Sequence, residues 1–306
     1  MQFGFHGINL GPMATPEAVR RIVTAAEKHN IDSIWVGDHV INATQISSQY
    51  PYSPTGAFPL GPSELILEPL TFMAFLAGQT SKIQIGISVL IVPYRNPVVT
   101  AKTISTLDFL SHGRVIVGVG SGWMKEEFDA LGVSYAERGK QTDEYIHIFK
   151  ELWTKEAPSF QGTYYQFSDI TCYPQPVQKP YPPIWVGGNS RRAMRRALEL
   201  GDGWQPGWSR PDQLAHELEE FKREADKIGR DPQEVEISLL RPMQILENSA
   251  QTRRALIGTP EEVAEDIRQY QKLGVTHLVF TFRTRKTEEA VETIERFATQ
   301  VRPLVA

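Results

Sequence analysis

Pro183-Ile184-Trp185-Val186-Gly187-Gly188-Asn189-Ser190-Arg191-Arg192 joins a strand to a helix through a glycine turn. Residues 184–186 form a short, wholly apolar strand. Ala193, Met194, Ala197, Leu198 and Leu200 then recur at helical spacing, so a helix follows almost at once. Asn189 and Ser190 are both residue types that cap a helix start. A Gly-Gly turn ahead of a helix N-terminus brings bare backbone and unpaired N–H groups to one point, which suits a phosphate or other anion. The same glycines also satisfy a tight strand-to-helix connection with no ligand at all.

Outward from this stretch, strands and helices alternate along the whole chain. Residues 3–8 predict a strand, followed by a helix over Pro16–Lys28 with Thr15 as N-cap, proline at its first position and Val19, Ile22, Val23 and Ala26 on one face. Residues 33–37 predict the second strand, ending in Asp38-His39. Residues 40–64 are rich in Pro, Ser, Gly and Tyr and form a long insertion, of the length that usually serves function. A helix over Pro69–Gln79 leads to a nearly continuous apolar strand at 83–92, as a parallel strand covered on both faces requires. Further helices are predicted at Pro97–Leu110, 125–130, 137–153, Pro211–Ile228, 260–273 and 288–301. Further strands are predicted at 115–119, Gly203–Gln205, 234–240 and Val275–Phe282. Only 154–182 breaks the alternation, with a hairpin at 160–165 and a proline-dense run into Pro183.

Eight strands alternating with helices match an α/β fold of the (β/α)8 barrel type, read as a single domain over 1–306 with insertions at 40–64 and 154–182. The competing open doubly wound sheet fits less well, because Gly7-Ile8-Asn9-Leu10-Gly11 after the first strand lacks the dinucleotide fingerprint. Among the 306 residues 41% are hydrophobic, and the net charge is −4, which offers no basic field for nucleic acid. A single cysteine, Cys172, excludes an intrachain disulfide and fits a reducing compartment. No secretory signal and no run of membrane-spanning length is visible, so the expectation is a soluble cytoplasmic protein.

In such a barrel the reactive groups sit at the C-terminal ends of the strands. That rule selects Asp38 and His39, Ser88 and Val89, Gly120 to Trp123, Gly187 and Gly188, Trp204, Arg241 and Arg283. The set holds one acid–base pair among glycines, small polar groups, aromatics and two cations, which suits a cofactor that brings its own reactivity. No His-x-His or His-Glu-x-x-His spacing points to a metal, and no triad accompanies Ser121.

The runs Ile34-Trp35-Val36-Gly37-Asp38-His39, Ser88-Val89 with Pro93-Tyr94-Arg95-Asn96-Pro97, Gly113-Arg114 through Gly120-Ser121-Gly122-Trp123 with Glu126-Glu127-Phe128, Pro183 to Ser190, and Gly201-Asp202-Gly203-Trp204 occur in order. Together they resemble the luciferase-like flavin/deazaflavin oxidoreductase superfamily, and within it the bacterial coenzyme F420-dependent branch. The resemblance implies that Asp38 and His39 face the cofactor ring as the acid–base pair, His39 giving or taking a proton during hydride transfer. It implies that Ser88-Val89 is the place of a non-prolyl cis peptide. It also implies that Asn96 bonds the ring's pyrimidine edge, although Asn96 can equally cap the helix at Pro97. Gly120 falls at the cofactor, and Gly187, Gly188, Asn189 and Ser190 at its phosphate. Arg191, Arg192, Arg195 and Arg196 form two i,i+4 pairs that can hold the acidic tail of F420, or form a solvated basic face.

Tyr50, Tyr52, Phe58, Trp123, Tyr164, Tyr165, Trp204 and Trp208 are expected at the mouth as a flat apolar slot for a small-molecule substrate. The expected activity is F420-dependent hydride transfer. The alternatives are an FMN-dependent monooxygenase on the same fold and a catalytically inactive flavin-binding protein. A homodimer through the helices at Pro69–Gln79 and Pro97–Leu110 is expected from the resemblance.

Overall fold

Most strands come from short apolar runs, and most helix starts are marked by a capping side chain or a proline; those at Lys125, Arg138 and Thr287 have neither. Thr15, Asn96, Ser190 and Thr259 accept from amides in the first turns of their helices, and Glu262 closes a capping box with Thr259. A computed structural model describes residues 1–53, 55–250 and 252–305; of the predicted 40–64 insertion only Pro54 lies outside them.

Eight strands, β1 (Gln2–His6), β2 (Ser33–Val36), β3 (Gln84–Ile91), β4 (Val115–Gly120), β5 (Ile184–Gly187), β6 (Gly203–Gln205), β7 (Glu236–Ile245) and β8 (Val275–Phe282), pair in parallel in chain order. β8 returns to pair with β1, so the sheet closes into a (β/α)8 barrel. Around it run α1 (Pro16–Lys28), α2 (Pro69–Gln79), α3 (Pro97–Leu110), α4 (Lys125–Leu131), α5 (Arg138–Thr154), α6 (Arg191–Leu200), α7 (Pro211–Ile228), α8 (Pro260–Lys272) and α9 (Thr287–Arg296). The predicted hairpin pairs Phe160–Gln161 with Gln166–Phe167. The seventh strand begins two residues later than the sequence suggests, because a 3-10 turn takes Pro232–Glu234, and it continues to Ile245. Arg241 therefore lies within a strand and not at its end. Among the described residues no helix is long and apolar enough to cross a membrane.

The barrel interior is filled by two tryptophans against glycines. Trp35 of β2 and Trp185 of β5 stack with ring centroids 5.2 Å apart. Each lies over a neighbouring strand at a residue without a side chain. A Cβ at Gly86 would come within 2.3 Å of Trp35, and one at Gly203 within 2.4 Å of Trp185. Both glycines stand in direct register with those tryptophans. Ser33 accepts from Trp35 Nε1 at 2.7 Å and bonds His277 Nε2 at 2.7 Å. His277 is 1% exposed, and burial pushes its pKa down to about 3 from 6.5.

The unfolded chain takes up the His277 proton near pH 6.5 and the folded chain resists it to about 3, so His277 favours folding fully at neutral pH and its contribution is lost as pH falls between those values. The expected loss from pH 7 to pH 4 is roughly 3 kcal/mol from this group. Denaturant midpoints of wild type and His277→Gln across that range check it: the variant has the flatter profile.

Candidate active site at the mouth of the barrel

β2 is followed by Gly37, whose backbone is clamped by Asn9: Asn9 Nδ2 donates to Gly37 O at 2.8 Å and Gly37 N donates to Asn9 Oδ1 at 3.0 Å. The next two residues diverge. Asp38 is buried and turns to Arg95, which donates to both its carboxylate oxygens at 2.7 and 2.8 Å, and Ile91 N adds a third bond at 2.8 Å. Arg95 also reaches Glu68 at 2.9 Å. Burial raises the Asp38 carboxyl above its ordinary value, while the Arg95 guanidinium acts in the opposite direction.

His39 bonds elsewhere, with Nδ1 2.8 Å from Oε2 of Glu127. Glu127 is 0% exposed, accepts from Tyr94 O–H at 3.0 Å, and accepts from Val40 N and Ile41 N at 2.5 and 3.1 Å. Burial alone would raise its carboxyl, but the bonds from His39, Val40 and Ile41 outweigh that and hold it below the usual carboxylate range. Asp38 and His39 are thus not a mutually bonded pair: each has its own partner on another element.

The Ser88–Val89 peptide is cis. Ser88 O lies 3.1 Å from His6 Nε2, and Ser88 Oγ donates to Gln205 Oε1 at 2.5 Å. Burial holds His6 down to about 4, with the carbonyls of Ser88 and Val36 as the acceptors beside its ring. The Val89 side chain occupies the space left by two glycines: a Cβ at Gly120 would meet it at 2.5 Å and one at Gly187 at 2.4 Å.

Beyond Val89 opens a cavity of about 820 Å³ lined by Ser121, Gly187, Gly188, Asn189, Ser190, Arg138, Arg192 and Arg196 among others. Ser190 caps α6 by accepting from Ala193 N at 3.2 Å, which leaves the amides of Arg191 and Arg192 without helical acceptors. Gly188 has φ +114°, a conformation that side chains disfavour. The side chain of Asn189 is spent on the 207–217 segment, with bonds to Gly207 N, Ser209 and Glu217. Arg196 is buried and pairs with Asp143 at 2.5 Å, while Arg138 donates to carbonyls of Gly122 and Tyr135.

A second cavity of about 210 Å³ lies deeper, lined by His6, Asp38, His39, Ser88, Val89, Gln205 and a cluster of aromatics. Its roof is the 40–64 insertion, which contributes Tyr50, Tyr52 and Phe58. Phe58 lies 4.8 Å from the His39 ring, and Tyr50 5.1 Å from Trp123. α4 holds this roof twice. Glu127 binds its root at Val40 and Ile41, and Glu126 accepts from Ser47 N, Ser47 Oγ and Ser48 N.

The rim thus gathers Asp38, His39, Ser88, Val89, Gly120, Gly187, Gly188, Asn189 and Ser190 around these two spaces. It does not gather Asn96. That residue caps α3 through Val98 N and Val99 N, donates to Tyr165 O–H at 3.1 Å, and lines an outer groove between α2 and α3. Arg191 points away to Glu220, and Arg195 to Glu199, so only Arg192 and Arg196 of the four face the cavity. Trp204 is buried outside the barrel against Phe221, Tyr164 bonds Glu137, Arg241 bonds Trp208 O, and Arg283 lines a separate hollow. Sequence reasoning gave no role to Arg138, Gln205 or His6, nor to Tyr94, Arg95 and Glu127, although these three stand in the runs that carry the family resemblance. Glu127 and His39 stand 88 residues apart, a distance across which spacing carries no signal. Among the described residues no cluster of His, Cys, Asp or Glu is arranged to hold a metal.

The family described as luciferase-like monooxygenase matches residues 2–256. An uncharacterized protein of Mycobacterium tuberculosis is 28% identical over 92% of this chain and 93% of its own. An F420-dependent glucose-6-phosphate dehydrogenase of Amycolatopsis mediterranei is 31% identical over 62% of this chain and 53% of its own. An FMNH(2)-dependent dimethylsulfone monooxygenase of Pseudomonas putida is 32% identical over 53% and 45%. Among solved structures, an F420-dependent secondary alcohol dehydrogenase superposes with TM-score 0.79 at 20% identity, covering 100% of this chain and 99% of that one. The monooxygenase RslO1 of Streptomyces bottropensis gives 0.79 at 21%, covering 100% of both. At these identities the superpositions speak for the fold.

Arg95→Leu leaves the buried Asp38 carboxylate without its countercharge and is expected to cost about 3–5 kcal/mol of stability. Urea unfolding checks this, and the double variant Asp38→Asn/Arg95→Leu is expected to recover most of the loss.

Proposed function

The chain belongs to the luciferase-like monooxygenase family, and on that premise we propose that it is an oxidoreductase that binds coenzyme F420 across the rim and serves hydride transfer with a small organic substrate. The observation that carries this reading is the charge of the larger cavity. Arg138 donates only to carbonyls, and Arg192 has no ion pair among the described residues, so two guanidiniums line that space unpaired, while the carboxylate that lines it, Glu217, accepts from Asn189 and Ser209. A single phosphate is served by the glycine turn, Ser190 and Arg196; further unpaired cations suit a polyanionic tail.

The residues present fit such a group. Glycines at 120 and 187 leave bare backbone beside Val89, and the two cavities adjoin, with Tyr52, Val89, Ile91, Trp123, Gly187, Gly207 and Trp208 lining both. Gly187, Gly188, Asn189 and Ser190 would hold the phosphate with Ser121 and Arg196, Arg138 and Arg192 would hold the tail, and Ser88, Val89 and Gly120 would support the ring. When bound, the deazaflavin supplies or accepts the hydride. His39 gives or takes the accompanying proton in the aromatic cavity, and the roof of Tyr50, Tyr52, Phe58 and Trp123 keeps water from it. An FMN-dependent monooxygenase is the second reading, favoured by the dimethylsulfone relative. A catalytically inactive flavin-binding protein fits less well, because it has no use for a histidine held on a buried carboxylate. We further propose a homodimer through α2 and α3, where Val99 and Leu110 are 62% and 61% exposed beside one apolar groove.

Fluorescence titration of the apoprotein with F420, its tail-free deazaflavin and FMN tests the cofactor. F420 is expected to bind tightest, and Arg192→Ala to weaken F420 by roughly tenfold while leaving the tail-free form unchanged. Preference for FMN, with oxygen uptake when the flavin is reduced, would replace this reading by the monooxygenase. With F420 established, His39→Ala is expected to retain cofactor binding and lose about 10²–10⁴-fold in turnover.

A further inference from the structure

Glu127 permits only one polarity around it. Its Oε1 accepts two backbone N–H groups, from Val40 and Ile41, and its Oε2 accepts the Tyr94 hydroxyl and faces His39 Nδ1. A carboxylate can only accept, and burial together with Glu127 keeps the Tyr94 hydroxyl protonated, so the proton in the His39 bond belongs to Nδ1. A neutral imidazole carries one proton, so Nε2 is then a bare lone pair. No residue among those described bonds His39 Nε2, and the ring lines the aromatic cavity.

We propose that Glu127 is a positioning residue that fixes His39 as the Nδ1–H tautomer, so that Nε2 meets the substrate as a proton acceptor. The inference rests on the hydride-transfer reading only for its use. A proton released by a substrate hydroxyl breaks its O–H bond and forms N–H at Nε2. The imidazolium so formed keeps its Nδ1–H on Glu127, whose charge balances it inside the protein. In the reverse direction the same Nε2–H is returned. The substrate class that fits is therefore one whose reacting group gains or loses a proton on oxygen, an alcohol or its carbonyl counterpart.

Glu127→Gln makes a sharp test because its amide cannot choose its orientation. An NH2 at the Oε1 position would face two N–H donors, so the amide oxygen stays there and the NH2 turns to Tyr94 and His39. Tyr94 can rotate its hydroxyl to accept. His39 Nδ1 must then accept too, and its proton moves to Nε2.

The measurement is two-bond ¹H–¹⁵N correlation NMR on histidine-labelled apoprotein at mildly alkaline pH, with His39 assigned by its loss in His39→Asn. The wild type is expected to show the Nδ1–H pattern, Glu127→Gln the Nε2–H pattern, and Tyr94→Phe the wild-type pattern. An Nε2–H wild type overturns the inference, as does an unchanged tautomer in Glu127→Gln or a reversal in Tyr94→Phe. Should Glu127→Gln not fold, the wild-type and Tyr94→Phe spectra still decide. No cofactor is present in these spectra, so the expected tautomers with no F420 turnover would overturn hydride transfer and leave the positioning role standing.

Discussion

A buried carboxylate is tolerated only where protein groups replace the water it has lost. The rim of this barrel is organised by two of them. Asp38 draws in Arg95 and, through it, Glu68, which fastens the end of β2 to the starts of α2 and α3. Glu127 draws in His39, Tyr94 and two backbone amides, which fastens the root of the 40–64 insertion to α4. A parallel barrel leaves all its strand ends and their loops on one face. These two acids convert that face from a set of loops into a shaped room with His39 presented into it.

Much of this was legible in the sequence because it is encoded locally. Thr15, Asn96, Ser190 and Thr259 announce helix starts within three residues of themselves, and the β-branched run at 83–92 announces a doubly covered strand. The end-of-strand rule found Asp38, His39, Val89 and the Gly187-Gly188 turn. What failed depends on angle or on contact across the fold. Arg191 and Arg192 are neighbours in sequence, but about 100° of helical rotation sends one to Glu220 and the other to the cavity. Trp204 sits at the right end of its strand yet on the outer face, where it stacks on Phe221 at 4.7 Å. Asn96 offered two uses, and the local one, capping its own helix, is the one it makes. The partnership of His39 with Glu127 has no local trace at all.

The fold leaves the choice of cofactor open. Relatives of this chain include an FMNH(2)-dependent monooxygenase and an F420-dependent dehydrogenase, and the ring end of such a site needs little more than bare backbone and a bulge of apolar side chain. Selectivity has to be exercised where the two cofactors differ in charge. In this chain Arg138 and Arg192 line the larger cavity, and under the proposed reading they are the groups that meet that charge. The inner cavity, by contrast, is lined mainly by neutral rings, the environment in which the proton exchange proposed for His39 would have most effect.

The tryptophan stack below the site carries its own consequence for how sequences of this kind can drift. Trp35 and Trp185 fit only because Gly86 and Gly203 give up their side chains in register beside them. The quantity held constant is the volume of the layer, shared across β2, β3, β5 and β6, and not the identity of any one residue. A change of either tryptophan to a smaller residue opens a void that a larger residue at its partner glycine can refill, while the glycine change made first has nowhere to go. Substitution paths through this layer therefore have a direction: the large residue must shrink before its small neighbour can grow.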